Sequence, residues 1–455
     1  MELLYHYLWH HRMLGRSFSD LRGHRIEVIY PGRHNEDAGP DFANARLRID
    51  GREWIGNVEI HVRASDWFRH GHDSDPAYDN VILHVVAIDD TRILRKNNEE
   101  IPQITAALPP NFLLTYAALA PDNANSSLTS VDSPDRKAIA RNLNSARCAS
   151  RFADIPQLTR KDWLETLSVE RIHFKAQRLL DYSRKLGGDW EQAVFVMLAR
   201  GLGFGLNGIP FEMLAMNLPL RIVYHHADNL LQTEALIFGQ AGMLDGSNHI
   251  FDEYYRRLCI EYGFLARKYG LHPMNVSLWK YARTRPQNFP HRRLAILARA
   301  LYEGIRFSSS LEEAAGDYEA LLRLFSWKAE GYWSNHFDFG RDPSGSDLPL
   351  SLSRGSRNLL MINVAAPFYM AHAQLTGDLE RGERALDLLR SIPSEKNSII
   401  KSWEQLGLTS PDALRSQALI HLHDEYCVKG QCLQCRFGHF LLRKEAATLS
   451  CATGI

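Results

Sequence analysis

Two carboxylates and a histidine carry the first chemistry the sequence offers. Asp41 follows Pro40, and Glu59 stands eighteen positions further on, in the triplet Glu59-Ile60-His61. Phosphodiester hydrolysis needs charge neutralised on the phosphate and a water activated for in-line attack, and hard divalent cations held by carboxylates do both. In that chemistry Asp41 and Glu59 are the ligands, and Mg2+ is the expected ion with Mn2+ as its substitute. His61 acts either as an imidazolium on the phosphate or, when neutral, as a general base. A second set competes for the same role: His61, His70, His72 and His84 with Asp66, Asp73, Asp75 and Asp79 have the donor types of a hydrolase built on zinc or another transition metal. His70-x-His72 is the sharpest pair in it.

Elements that could position these groups are legible around them. Leu3, Leu4, Tyr7, Leu8 and His11 recur at helical spacing, so the chain opens on an amphipathic helix that Gly15 and the polar residues 17–20 end. A short strand at Ile26–Tyr30 is stopped by Pro31-Gly32, and a polar loop then delivers Asp41 to a second strand through Ile49. Asp50-Gly51 supplies a tight hairpin, and a third strand runs from about Trp54 to Val62. Side chains alternate along a strand, so Glu59 and His61 share a face. The nearly unbroken apolar run Val81 to Val86 reads as a strand buried on both sides.

Two further groups of residues could do chemistry. Arg283, Arg285, Arg292 and Arg293 lie within YARTRPQNFPHRRLAILARA, which has no acidic residue and could grip DNA or RNA phosphates. Cys427, Cys432 and Cys435 form C-x4-C-x2-C, a spacing suited to Zn2+ or an iron–sulfur cluster, with His423, His439, Cys451 or the distant Cys148 as a fourth ligand. Gly201-Leu-Gly-Phe-Gly205 has the glycine density of a phosphate loop but no following lysine, so it reads as a helix terminator.

Composition bounds the rest. At 455 residues the chain is long enough for two or three domains. Fifty-three basic residues balance fifty-three acidic ones, so any nucleic-acid contact must use a local patch. No apolar run of membrane-spanning length and no signal peptide are evident, and six cysteines are too few for a disulfide framework. A cytoplasmic protein without a membrane contact is expected. Residues 121–136 are rich in Asn, Ser, Asp and Pro and read as a linker, and from about Thr159 the pattern is helical.

The segments GPDFANARLRIDG, WIGNVEIHVRASDW and HGHDSDPAYDNVILHVV, with RPQNFPHRR and CLQCRFGHFLL, resemble domain-of-unknown-function family 2851 over nearly the whole chain. The first 110 residues also resemble the PD-(D/E)XK nuclease superfamily: Pro40-Asp41 matches its PD element, and Glu59-Ile60-His61 its ExK element, with His61 where lysine is usual. Some nuclease relatives close a structural iron–sulfur cluster with cysteines beyond the core, which by analogy implies a role for Cys148. The expected architecture is an α/β N-terminal domain with a mixed, restriction-nuclease-like sheet at 1–120, a linker at 121–150, a large mainly α-helical domain at 151–420 and a Cys/His-rich segment at 421–455. The expected function is metal-dependent cleavage of DNA or RNA. Two alternatives are a non-catalytic nucleic-acid-binding or assembly protein that keeps the fold, and the His/Asp transition-metal hydrolase.

Overall fold

The computed structural model of the chain describes residues 2–452 except 21, 36, 96–97, 107, 109, 120–145, 247–251, 283–287 and 341–350. The expected linker stretch 121–136 therefore lies outside the described residues. The chain divides into two compact units, Met1–Trp163 with Leu422–Ile455, and Leu164–His421.

The first unit is built on a mixed sheet. Helix α1 (Glu2–His10) precedes strands β1 (Ser17–Ser19), β2 (Arg25–Tyr30), β3 (Arg33–His34), β4 (Phe42–Ile49) and β5 (Arg52–Arg63). Helix α2 (Asp66–Arg69) leads to β6 (Val81–Ile88), β7 (Gln103–Thr105) and helix α3 (Pro110–Leu119). The strand order is β1-β2-β4-β5-β6-β7, with β3 pairing β4. β4 and β5 are antiparallel across the Asp50-Gly51 turn, where both residues have positive φ, 47° and 85°, as a tight hairpin of this twist requires. β5, β6 and β7 run parallel, and six consecutive residues of β6 are buried, as its apolar run implies. Gly56 permits the close approach of the start of β6 to β5. A Cβ there would sit 2.5 Å from the Ile82 side chain and 2.7 Å from the Asn80 carbonyl. Tyr5 and Trp9 of α1 join the core of Ile26, Phe42, Val58 and Ile60.

One local expectation changes. Residues 17–19 are an edge strand on β2 and not merely a helix stop, because three residues, with only Phe18 half-buried, are too few to show alternation.

The second unit is mainly helical. Helix α4 (Gln157–Lys185) enters it and is followed by α5 (Trp190–Leu202), whose N-terminus is capped by the Asp189 carboxylate accepting from Gln192 N–H at 2.9 Å. α5 ends at the glycine-rich turn, as a terminator should, and α6 (Gly208–Asn217) follows. Helices Leu230–Gln240 and Pro290–Tyr302 are buried nearly all round. A long rod, Arg354–Thr376, carries a π-helical turn at Met361–Ala365. Pro367 explains the turn: it offers no N–H to the Asn363 carbonyl and its ring crowds that carbonyl, so the ladder widens to the bond Ala366 N–H to Met361 O. Among the described residues no helix is long and apolar enough to cross a membrane.

Candidate metal centre

Register places the chemistry before any side chain is considered. β4 pairs Phe42 with Val58, which brings Asp41 beside Glu59. The parallel ladders align Glu59 with His84 and His84 with Gln103, so three strands contribute one polar row. The two acidic groups interlock through the backbone: Asp41 N–H donates to Glu59 Oε2 at 3.0 Å, and Ile60 N–H donates to Asp41 Oδ2 at 2.9 Å. Glu59 is 4% exposed, His61 1% and His84 0%, so this is a dry site in which every proton position matters.

The hydrogen-bond chain fixes those protons. Gln103 Nε2 donates to Asp89 Oδ1 at 2.8 Å and to the Thr91 carbonyl at 3.2 Å, which turns Gln103 Oε1 toward His84 Nδ1 at 2.8 Å. His84 Nδ1 must then carry the proton, leaving His84 Nε2 as the acceptor for His61 Nδ1–H at 2.8 Å. His61 Nε2 is consequently a bare lone pair. Burial, with His84, His72 and His70 adding to it, pushes the His61 pKa down to about 2, and burial pushes that of His84 down to about 4 against the opposing Gln103 hydrogen bond. Of the two roles expected for His61, the lowered pKa favours the neutral ring over the imidazolium.

What surrounds that lone pair is a set of donors. His61 Nε2 lies 3.2 Å from His70 Nδ1 and 3.5 Å from Glu59 Oε1, and His72 Nε2 lies 3.3 Å from the same Glu59 oxygen. The ligand atoms of His61, His70 and His72 all fall within 4.8 Å of one another. A tetrahedral ion with bonds of about 2.0–2.1 Å spaces its ligands by about 3.3–3.4 Å, close to the 3.2 Å between His61 Nε2 and His70 Nδ1. Three imidazoles gathered this closely have the donor types of a candidate transition-metal site, with Glu59 beside His61 and His72. Burial raises the Glu59 pKa, with Asp41 adding to it against the His72 contact, so the carboxylate is short of positive charge. Trp67 and Tyr78 wall the site, His72 stacking on Tyr78 at 3.8 Å between ring centroids.

Three contributors are invisible in the motif. Glu2 and His6 stand one turn apart on α1; His6 Nε2 lies 3.1 Å from Asp41 Oδ2, and Glu2 feels the charges of Asp41, His6 and His70. Gln103 sits on a three-residue strand with no alternation to announce it. Because its amide fixes the His84 and His61 tautomers, Gln103→Leu is expected to weaken metal affinity by roughly 10- to 100-fold. Isothermal titration with Zn2+ or Mn2+ measures this directly.

Two aspartates of the competing histidine reading, Asp66 and Asp75, hold local turns. Asp66 Oδ2 accepts from Arg63 N–H at 3.1 Å, and Asp75 accepts from Ala77 N–H at 2.9 Å. Of the basic stretch, Arg283 and Arg285 lie outside the described residues. Arg292 and Arg293 do not form an exposed patch: they are 1% and 5% exposed. Arg292 donates to the carbonyls of Trp333 and His336, and Arg293 donates to Asn288 Oδ1 with its guanidinium 4.6 Å from the Phe204 ring centroid. A run of arginines looks basic in sequence, but these two face a helical core that needs donors for loop carbonyls.

Cys427, Cys432 and Cys435 come together in the first unit, and Cys148 joins them. The Cys427 thiol is pushed up by burial and then by Cys148, Cys435 and Cys432. The Cys148 thiol is pushed up by burial and then by Cys435 and Cys432. Phe152, just after Cys148, packs on Phe437, just after Cys435, with ring centroids 5.3 Å apart. Gly438 allows the helix Arg436–Ala452 to begin there, since a Cβ would lie 2.1 Å from the Cys432 carbonyl. The other candidates for a fourth ligand are otherwise engaged: His439 Nδ1 with Tyr7 Oη at 2.8 Å, and His423 Nδ1 with Asp424 at 2.9 Å. The side chain of Cys451 lies outside the described residues.

No curated protein and no solved structure matches the chain significantly. A family model does, over residues 2–398, a span that includes every residue of the histidine and carboxylate cluster and stops before the cysteine segment. The chain belongs to the family described as "Protein of unknown function (DUF2851)".

Proposed function

We propose that the chain is a divalent-metal-dependent hydrolase acting on phosphodiester bonds of DNA or RNA, with its ion held by His61, His70, His72 and Glu59. The observation that carries the reading is the gathering of donors at the unprotonated His61 nitrogen, with His70 Nδ1 at 3.2 Å and Glu59 Oε1 at 3.5 Å, and with His72 Nε2 3.3 Å from the same Glu59 oxygen. Three imidazoles favour Mn2+ or Zn2+ over Mg2+, which prefers oxygen ligands. Such an ion supplies charge neutralisation on a phosphate and activation of water. Asp41 and His6, 3.1 Å apart at the more open edge, are placed to accept and return a proton. The order of Asp41 before a hairpin and Glu59-x-His61 on the next strand supports a nuclease-like ancestry, with the lysine position turned into a metal ligand.

The test incubates the purified chain with single- and double-stranded DNA and RNA in Mn2+, Zn2+ or Mg2+, beside Glu59→Gln and His72→Ala. Metal-dependent cleavage lost in both variants is the expected result. Nucleic-acid binding with no cleavage in any metal would replace this reading with that of a non-catalytic binding protein.

A second reading rests on the four converging thiols. We infer that Cys148, Cys427, Cys432 and Cys435 hold a structural zinc ion or iron–sulfur cluster. Backbone N–H groups of Phe437 and Gly438 act on the Cys435 sulfur, and the buried Trp163 indole, which has no other hydrogen-bond partner, lies close enough to act on it too. Donors gathered on a buried sulfur suit a thiolate, and a thiolate there needs a cation. Cys148→Ser is expected to lower the stoichiometric zinc or iron measured by elemental analysis. Unchanged metal content would remove Cys148 from the set, and no zinc or iron in the unmodified protein would remove the site.

A further inference from the structure

The helical unit contains a cleft of about 370 Å³ that the histidine site does not involve. Its floor is Lys175 on α4, 7% exposed, and Arg178 stands one turn further along the same helix. Lys175 Nζ donates to Asn363 Oδ1 at 2.8 Å and to the Ile362 carbonyl at 3.4 Å. Both acceptors are neutral. Among the described residues neither Lys175 nor Arg178 forms an ion pair, and the third cation of the cleft, Arg200, pairs with Glu212. Burial, with Arg171 and Arg178 adding to it against the opposing charge of Glu395, disfavours the charged form of this amine, which has no ion-pair partner among the described residues.

The surrounding backbone is specialised for this arrangement. Asn363 lies in the π-turn, where the widened ladder exposes the Ile362 carbonyl, and its Nδ2 donates to the Leu359 carbonyl at 2.8 Å, which turns Oδ1 toward Lys175. On the opposite wall Phe204 holds φ of 41°, a left-handed conformation rare for an aromatic residue, and strain of this kind gathers at functional sites. Next to it α6 begins without a side-chain cap, because Asn207 spends its amide on both backbone groups of Lys280 at 2.8 Å. Gly208, the first residue of α6, lines the cleft. The positive end of a ten-residue helix thus adds to the cationic floor.

We propose that this cleft binds the phosphate group of a small organic phosphate, with Lys175 and Arg178 as its anion contacts. The phosphate supplies the direct ion-pair partner that Lys175 lacks among the described residues. Met197, Phe204 and Leu359 form apolar walls, which suit an organic portion beyond the phosphate, and the volume is that of a small-molecule pocket. Arginine beside lysine favours a tetrahedral oxyanion over a reaction of the bare amine with a carbonyl. This site stands independently of the proposed hydrolase.

The experiment uses the full chain with inorganic phosphate and adenosine 5′-monophosphate as probes, in isothermal titration and thermal melting, against chloride at matched ionic strength. Saturable binding of one equivalent is expected, tighter for the nucleotide, and weakened at least tenfold by Lys175→Met and by Arg178→Gln. Lys175→Met removes a buried amine without changing length, and Arg178→Gln alters a half-buried side chain with no ion pair, so the second variant keeps the test open if the first fails to fold. Absence of saturable binding beyond the chloride control would overturn the proposal, as would binding left unchanged by both variants. Equal labelling of Lys175 by formaldehyde and cyanoborohydride with and without saturating phosphate would overturn it as well, because a seated anion shields the amine.

Discussion

His61→Ala is expected to abolish stoichiometric binding of Zn2+ or Mn2+ at the histidine cluster, and with it any metal-dependent hydrolysis. The side chain supplies a nitrogen whose lone pair is fixed by two successive hydrogen bonds, from Gln103 to His84 and from His84 to His61. Losing that donor should weaken the affinity by more than the roughly 10- to 100-fold typical of a partner one layer out. The same change leaves His84 Nε2 without its donor in a fully buried strand, so a stability loss of about 1–3 kcal/mol accompanies it. His72→Ala separates the two effects. Its ring stacks on Tyr78 and contacts Glu59, outside the Gln103–His84–His61 chain, so metal binding should fall with less loss of stability. Isothermal titration for the metal and thermal melting of the metal-free protein resolve the two. Metal affinity unchanged in both variants would place the ion elsewhere.

Arg292→Ala is expected to destabilise the helical unit by about 3 kcal/mol, seen as a fall in melting temperature of roughly 6–12 °C. Arg292 is 1% exposed and donates to the carbonyls of Trp333 and His336, so truncation both opens a cavity and leaves buried acceptors unsatisfied. Arg299 is the contrast on the same helix. Its guanidinium meets Glu303 at 2.8 Å and Glu330 at 2.9 Å near the surface, and Arg299→Ala should cost under about 1 kcal/mol. Had the arginine run been a phosphate-binding surface, the two replacements would cost similarly little in stability. Urea denaturation of both variants distinguishes these outcomes.

The difference between those two arginines shows where sequence reasoning stops. A segment with several arginines and no acid reads as basic, but which side of Pro290–Tyr302 meets a partner depends on helices distant in the chain, and nearly all of its faces are covered. The sheet was far more legible. Asp50-Gly51 announced the hairpin, period two put Glu59 and His61 on one face, and the apolar run fixed β6, so the frame of the site could be drawn before any coordinates. What alternation could not reveal was its completion. Gln103 occupies a strand of three residues, and His6 and Glu2 reach the site from a helix whose apolar stripe was its only visible signal. The π-turn that shapes the Lys175 cleft was likewise hidden, since Pro367 within an otherwise helical run predicts a break as readily as a widened turn.

The role assigned to His61 also shows what register alone misses. Two positions after Glu59, a histidine could have been a cation, a base or a ligand. The proposed ligand role rests on Gln103, whose amide is held by Asp89 and Thr91 so that a neutral His61 turns its unprotonated nitrogen toward His70 and Glu59. That chain of four partners makes the metal centre the central claim.

Elemental analysis after dialysis against Zn2+ or Mn2+ tests it most directly, comparing the unmodified protein with His61→Ala. The unmodified chain should retain one more equivalent of the ion than the variant, whatever the cysteines also hold. Equal metal content in the two proteins, with both folded by circular dichroism, would contradict it.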